Sequence, residues 1–441
     1  MMEKKNIPSK WSQTTVDFVG EFLRGINYNK LDSSQYKQEG YLPILRSNNI
    51  QEALIFEDLV YVDTKNFNVF HSLKKGDILF AMSSGSKHLV GKTAKVELDC
   101  EYGWGAFCAV LRPFEILNKK FVAYFFKAPD YKKLVSEISK GTNINNLKKE
   151  HILDLQFPLP PLAEQQRIVE KIEELFSELD KGIESLKTAQ QQLKVYRQAV
   201  LKYAFEGKLT NPNVKEGELP EGWVLKNFGD CTINHDGKRV PLSKLVRSTR
   251  KGEFRYYGAT EVVDFIDDYI FDGRFLLIGE DGANLLSKSK PLAHITEGKF
   301  WVNNHAHVVQ SKENISIDYL CHFFNSLHLD QYVTGTAQPK LTQANLNKIP
   351  ISIPIAQLEQ IQIVQEIESR LSVCDKIEES IEQGLQQAEA LRQSILKKAF
   401  EGKLVPQDPN DEPASVLLDR IKAARAGQTA TKKSRTKKDK V

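Results

Sequence analysis

The chain has 441 residues, 41% hydrophobic and 27% charged, with a net charge of +4. At roughly 100–200 residues per domain it holds about two to four domains, and its apolar content excludes wholesale disorder. Residues 429–441 carry six Lys or Arg and one Asp, so the rest is close to neutral and any nucleic-acid contact must come from local patches. The cysteines Cys100, Cys108, Cys231, Cys321 and Cys374 form no CxxC pair, which argues against a zinc ribbon or disulfide scaffold and suits reducing cytosol. The N-terminus lacks the apolar core of a signal peptide and no run of 18 apolar residues occurs. A cytoplasmic chain without a membrane span is therefore expected.

Segment 1–140 mixes short strand-like runs with Gly and Asp turns. Tyr41–Ile50 is an apolar run that ends in Arg46, Ser47, Asn48 and Asn49. Arg and Asn make bidentate contacts to guanine and adenine edges, while Ser-Asn-Asn is also an ordinary polar turn. Lys74–Ser86 reads as a turn, a strand (ILFAM) and a Gly/Ser loop. Ser84, Ser86, Lys87 and Lys92 in and after that loop join the DNA-contact candidates.

A long-range repeat follows. AFEGKL occurs at Ala204–Leu209 and again at Ala399–Leu404, and Glu164–Leu209 matches Glu359–Leu404 at 23 of 46 positions. Upstream, with one residue of slippage, Gly141-Thr142 aligns with Gly335-Thr336, Leu147 with Leu341 and Pro160 with Pro354. Each copy reads as a GT loop, a short apolar strand, a proline stop and a long helix. The stretches 1–140 and 211–334 share no such similarity, so the plan is variable–repeat–variable–repeat.

Both helices carry a heptad. The expected seam of the first is Ile168, Ile172, Leu175, Leu179, Gly182, Leu186 and Leu193, continuing through Ala189, Tyr196, Val200 and Tyr203. That of the second is Ile363, Ile367, Ile377, Ile381, Gly384 and Leu391, with Cys374, Ala388 and Ile395; Arg370 and Lys398 interrupt its d series. Small seam residues (Gly182, Ala189, Gly384, Ala388) suit close approach of two helices. A 40-residue helix is about 60 Å long at ~1.5 Å per residue, and its apolar stripe needs a cover. The other copy is the simplest one, giving an intramolecular antiparallel pair with a pseudo-twofold. A homodimeric coiled coil and two unrelated bundle helices are the alternatives.

In segment 211–334, Lys238, Arg239, Lys244, Arg247, Arg250, Lys251 and Arg255 give a net +6 in 18 residues, followed by Tyr256 and Tyr257. Basic residues beside aromatics suit phosphate contact and base stacking, as well as a solvated loop. Asn303, Asn304, His305 and His307 lie together in WVNNHAHVV and, with the basic run and the two tyrosines, are the expected DNA contacts of this segment. Two His at i, i+2 on a strand share a face, but no nearby Cys or carboxylate cluster completes a metal site. No metal is expected. The residues after Arg425 are lysine-rich and expected to be disordered.

Catalytic motifs fail one by one. Gly85–Thr93 has five residues between its glycines where a phosphate-binding loop needs four. No [DNS]-P-P-[YFW] sequence, G-x-S-x-G or dinucleotide fingerprint occurs. Pro129-Asp130 lacks an acid-x-Lys partner, since Glu137 and Lys140 are three apart. The chain reads as a non-enzyme.

With two variable segments and duplicated heptad helices each ending in AFEGKL, the chain resembles the specificity subunit of type I restriction–modification systems. The resemblance spans nearly the whole chain. It rests most on PLPPLAEQQRIVEKIEELFSELD with RQAVLKYAFEGKL, on the second copy (IPIAQLEQIQIVQEIE, RQSILKKAFEGKLV), on PSKW and LPEGW before the variable segments, and on YYGATEVVDFIDDYIFDG, LLIGEDGANLL and KFWVNNHAHV.

The resemblance implies an α+β chain: two globular mixed α/β target-recognition domains separated by two long conserved helices that pair as an intramolecular antiparallel coiled coil. The expected boundaries are 1–150 and 211–345 for the recognition domains, 151–210 and 346–425 for the helical regions, and 426–441 for the basic tail. Each recognition domain reads half of a bipartite asymmetric double-stranded DNA site. The helices fix the gap and dock two methyltransferase subunits, and two restriction/translocase subunits complete the complex. No cofactor is expected in this chain; S-adenosylmethionine, ATP and Mg belong to the partner subunits. The expected setting is the prokaryotic cytoplasm, at the nucleoid. Gln362 stands where the first copy has Arg167, a departure that puts equal docking by the two helices in doubt. A stand-alone DNA-binding regulator and a coiled-coil scaffold without a DNA role are the competing readings.

Overall fold

The computed structural model describes residues 7–68, 70–140, 146–335 and 338–438. The chain forms two compact units, one of residues 1–184 with 385–441 and one of residues 185–384. The GT loop residues Gly141, Thr142 and Thr336 lie outside the described residues.

In the first unit, strand Ile78–Ala81 is buried along its whole length, as expected of a strand covered on both faces. It sits between Cys108–Pro113 and Thr93–Lys95, with Gly20–Arg24 beyond Cys108–Pro113. A second four-stranded sheet contains Tyr41–Leu45, which pairs antiparallel with Val60–Asp63 and parallel with Gly103–Trp104. In the second unit, Phe271–Gly279 occupies the middle of a six-stranded sheet between Ala293–Val302 and Ala306–Ser311. Lys251–Tyr257 and the edge strand Val262–Ile266 complete one side of that sheet.

The two units share a framework that their sequences hide. Ile78 pairs with Leu111 and Ala81 with Cys108; Leu276 pairs with Val309 and Gly279 with Ala306. Each residue of the second set lies 198 positions after its counterpart. The entry strands match as well. Ser12–Thr15 pairs with Gln156–Leu159 in one unit, and Trp223–Asn227 pairs with Pro350–Pro354 in the other.

The repeats form helices Leu162–Phe205 and Gln357–Phe400, 44 residues each, or about 66 Å at ~1.5 Å per residue. Each unit's core takes in the start of one helix and the end of the other. Ile168, Ile172, Ile395, Leu396 and Phe400 share a cluster in the first unit, and Ile363, Ile367 and Ala204 share one in the second. The helix segments therefore run in opposite directions within each unit. Equivalent polar anchors recur. Trp11 Nε1 donates to Glu164 at 2.9 Å and Trp223 Nε1 to Glu359 at 3.0 Å. Each AFEGKL carries a left-handed glycine just past its helix end, Gly207 (φ 77°) or Gly402 (φ 69°). There the backbone crosses Pro220 and Trp223, or Pro8 and Trp11, so closely that a Cβ would lie 2.2 or 2.3 Å from the proline ring.

The heptad reading is right on one ladder and one residue off on the other. Ile172, Leu193, Ile367, Cys374, Ile381 and Ile395 are buried, with Leu179 and Leu186 half-buried. On the d ladder, Ile168 and Ile363 are buried and Leu175 half-buried, but Gly182, Tyr196, Tyr203, Ile377 and Leu391 are exposed. The second ladder falls one position later, through Phe176, Ile183, Arg197 and Ala204, and through Leu371, Leu385, Arg392 and Ala399. Three-then-four and four-then-three spacings give the same heptad, and apolar residues stand at both sets of positions, so pattern alone does not choose. Arg370 and Lys398 therefore interrupt nothing. Close approach holds at Gly384, where a Cβ would stand 3.1 Å from Leu186, but not at Gly182, where it would meet nothing within 4 Å.

The last helix, Ala414–Lys438, includes most of the tail expected to be disordered; Ala, Lys, Arg and Gln are good helix formers. Arg167, replaced by Gln362 in the second copy, bridges Asp411 at 2.6 Å. That residue pair anchors the chain after the second helix, which accounts for the difference between the copies. Among the described residues no helix is long and apolar enough to cross a membrane.

Candidate nucleic-acid interface

In the first unit three loops meet at the end of the central strands. The turn after Tyr41–Leu45 is a short 3-10 helix, Ser47–Asn49. Ser47 Oγ donates to the Ser83 carbonyl at 2.7 Å, and Lys92 Nζ donates to Gln51 at 2.7 Å. The sequence-predicted groups 46–49 and 84–92 are thus brought together. The Met82 and Ser83 amides donate to the Phe107 carbonyl at 2.9 and 3.1 Å, which adds a third loop, residues 105–107. Burial pushes the neighbouring Cys108 thiol up to about 12, so it stays protonated.

The candidates in this cluster divide by exposure. Asn48 and Ser86 are exposed, and Arg46, Ser84 and Lys92 are half-buried. The side chain of Lys87 lies outside the described residues. Asn49 is 1% exposed, and its amide nitrogen donates to the Ile55 and Glu57 carbonyls while its oxygen accepts from the Arg46 amide. It shapes the loop and has no face for a base. Ser47, also buried, has the same role.

The second unit corrects the reading of the basic run. Lys251 and Arg247 bridge Asp264 at 2.5 and 3.3 Å, and Arg250 bridges Asp267 at 2.9 Å and Asp268 at 3.5 Å. Hydrogen bonds from Lys251 and from the Phe265 amide hold the Asp264 carboxyl below the usual range. Arg239 bridges Glu280 at 2.6 Å and Asp236 at 3.5 Å. The net +6 counted along the chain is thus largely offset by acids brought in across the hairpin and sheet. Lys238 is exposed.

The two tyrosines are also structural. Tyr256 is fully buried and its hydroxyl accepts from the Leu242 amide at 2.9 Å; Tyr257 is 5% exposed and accepts from Thr296 at 3.0 Å. Neither can stack on a base. The guanidinium of Arg247 lies 4.9 Å from the Tyr256 ring centroid and that of Arg250 lies 5.1 Å from that of Trp301. The aromatics beside the basic run therefore position it.

His305 and His307 do not share a face, because His305 belongs to the turn before strand Ala306–Ser311. His305 is exposed, with Nδ1 2.8 Å from Asp281, and Asn304 beside it is exposed. Asn303 is half-buried and accepts from the His305 amide at 2.8 Å. His307 is 1% exposed between Asp236 at 2.6 Å and the Leu341 carbonyl at 2.8 Å.

Asp236, Glu280 and His307 offer ligand atoms within 4.8 Å of one another. Glu280 is already held by Arg239 and by Lys340 at 3.2 Å, and Asp236 by His307 and the Val308 amide. A dication would have to displace two resident side-chain cations. Burial works against the charge on Asp236, and hydrogen bonds from His307 and the Val308 amide overcome it, holding its carboxyl below the usual range. The cluster is an internal ionic brace beneath the exposed turn.

The loops of the two units correspond position by position. The Met82 amide donates to the Phe107 carbonyl as that of Glu280 donates to His305, both at 2.9 Å. The Leu147 amide donates to the Met82 carbonyl at 2.7 Å, and that of Leu341 to Glu280 at 2.8 Å. Phe107, 69% exposed, was missed from the sequence. The offset that identifies it with His305 exists only in the strand pairing.

The architecture is that of a tandem recognition protein, with two equivalent loop clusters on α/β units joined through duplicated helices. The family model described as the type I restriction modification DNA specificity domain matches residues 8–193 and 220–387. The chain is 30% identical to the type I restriction enzyme StySPI specificity subunit of Salmonella potsdam, covering 99% of this chain and 100% of that one. It is 31% identical to the EcoKI specificity subunit of Escherichia coli K12, with the same coverage. A solved structure of a type I R-M system described for complex assembly and conformational transition matches 91% of this chain and 100% of its own, with TM-score 0.71 and 17% identity. The HsdS subunit from Thermoanaerobacter tengcongensis matches with TM-score 0.56 and 17% identity over 91% of this chain and 99% of its own, a likeness of fold. The chain belongs to the type I restriction–modification specificity-subunit family.

Proposed function

We propose that this chain is the DNA-reading subunit of a type I restriction–modification complex. It selects a bipartite, asymmetric double-stranded DNA target, each unit reading one half-site. The long helices set the gap between half-sites and dock two methyltransferase subunits. Catalysis lies in the partners: adenine methylation with S-adenosylmethionine, and ATP- and Mg-dependent translocation and cleavage by two restriction subunits. The chain itself holds none of these cofactors, and it works in the prokaryotic cytoplasm at the nucleoid.

The observation that carries this reading is the paired loop framework, in which equivalent backbone positions present different side chains. Phosphate contacts position a protein while base-edge contacts specify sequence, so a constant scaffold with variable tips suits two unlike half-sites. Arg46, Asn48, Ser84, Ser86 and Lys92 serve the first half-site. Lys238, Asn303, Asn304 and His305 serve the second. Ser47, Asn49, Arg239, Tyr256, Tyr257 and His307 hold those groups in place. Arg247, Arg250 and Lys251 reach phosphates by exchanging their aspartate partners.

Co-expression with a cognate type I methyltransferase subunit, followed by sequencing that detects methylated adenine, tests the reading. A single two-part motif with a fixed unspecified gap is expected. An assembled complex that methylates no defined motif would overturn it.

A further inference from the structure

We propose that Phe107 determines base identity in the first half-site by packing against the 5-methyl group of a thymine in the major groove. This rests on the proposed function above and names a reading residue within it.

Three observations carry the inference. Phe107 is 69% exposed at the tip of a loop, although its ring has no polar group to hold it in water. Its carbonyl is fixed by the Met82 and Ser83 amides, and the preceding Gly105 amide donates to the Leu45 carbonyl at 2.9 Å. The tip is thus tied to the same two loops that carry Arg46, Asn48, Ser84 and Ser86. Finally, Phe107 occupies the place of His305, which presents a hydrogen-bonding ring at the equivalent tip of the second unit. One backbone position therefore offers an apolar side chain in one unit and a polar one in the other, as expected of a position that reads different bases.

The choice of thymine follows from groove chemistry. A phenyl ring makes no hydrogen bond to a base edge, and the apolar feature of the major groove is the thymine C5-methyl group. The flanking polar side chains contact the remaining edges. Were Phe107 instead a wedge inserted between base steps, the other use of an exposed Phe on DNA, its removal would weaken binding to all sequences alike rather than at one base.

The test uses the full chain assembled with its methyltransferase subunits. The first half-site is the half of the methylated motif that stays unchanged when residues 211–334 are exchanged for those of a relative. Duplexes then carry uracil in place of each thymine of that half in turn, and binding is measured for the unaltered chain and for Phe107→Ala and Phe107→Leu. One thymine-to-uracil change should weaken binding by the unaltered complex about fourfold, the worth of one buried methyl group. Phe107→Ala should bind both duplexes alike, while Phe107→Leu should keep part of the difference. The inference is overturned if the half-site holds no thymine, if Phe107→Ala keeps the difference, or if it weakens every sequence equally. Loss of partner assembly in Phe107→Ala with an unchanged motif would make the residue a protein contact and also overturn it. Failure of the unaltered complex to yield any two-part motif would instead overturn the functional reading beneath it.

Discussion

Arg197 and Asp375 bridge the two long helices of the second unit at 2.7 Å, and Arg197 also reaches Glu378 at 2.9 Å. Their counterparts in the duplication, Arg392 and Asp180, form the same bridge in the first unit. The Arg of each helix thus meets the Asp of the other, the reciprocity of a self-complementary interface, here within one chain. Arg197 and Arg392 stand on the corrected seam ladder, where a cation needs a partner.

The bridges are partly exposed, so their worth is modest. Arg197→Ala should lower stability by about 1 kcal/mol. Exchanging the pair (Arg197→Asp with Asp375→Arg) should recover part of what each reversal loses. Chemical denaturation of the four proteins measures the coupling; additive losses would remove the bridge from the account.

Register is testable by burial. Ile381 is 4% exposed and Ile377 43% exposed. Ile381→Ala should cost about 2–4 kcal/mol and Ile377→Ala less than about 1 kcal/mol. Equal losses in denaturant melts would restore the uncorrected heptad.

Glu164 is buried. Burial pushes its carboxyl up, while hydrogen bonds from Trp11 and Gln407 pull it back only in part, leaving it above its usual value of 4.5. A raised acid contributes stability that is fully present below the unfolded value and lost as pH rises through the folded one. The stability of the unaltered protein relative to Glu164→Gln should therefore fall as pH rises from about 4 through that window. Melts across the range check it; a flat difference would contradict the shift.

Asp264 offsets two cations of the basic run. Asp264→Asn should release Lys251 and Arg247, strengthen DNA binding irrespective of sequence and steepen the dependence of log affinity on log salt by about 1–2. Titrations at several salt concentrations read this directly. An unchanged slope would place the run away from DNA.

The repeat was legible because the helices and their anchors constrain side chains: Trp11 and Trp223 need Glu164 and Glu359, and the AFEGKL turns need their glycines. The equivalence of Phe107 and His305 was not legible, because backbone hydrogen bonds fix position without dictating side chain. The basic run looked bare because Asp264, Asp267 and Asp268 lie 13–18 residues downstream of their partners. Asn49, Tyr256 and His307 read as contacts in the sequence because polarity marks a buried brace as readily as a surface.

The central claim, that each unit reads one half of a two-part DNA target, is tested most directly by exchanging residues 211–334 for those of a relative and sequencing methylated adenines. The account predicts that one half of the motif changes while the other half and the gap stay fixed. A change in both halves, or in neither, would contradict it.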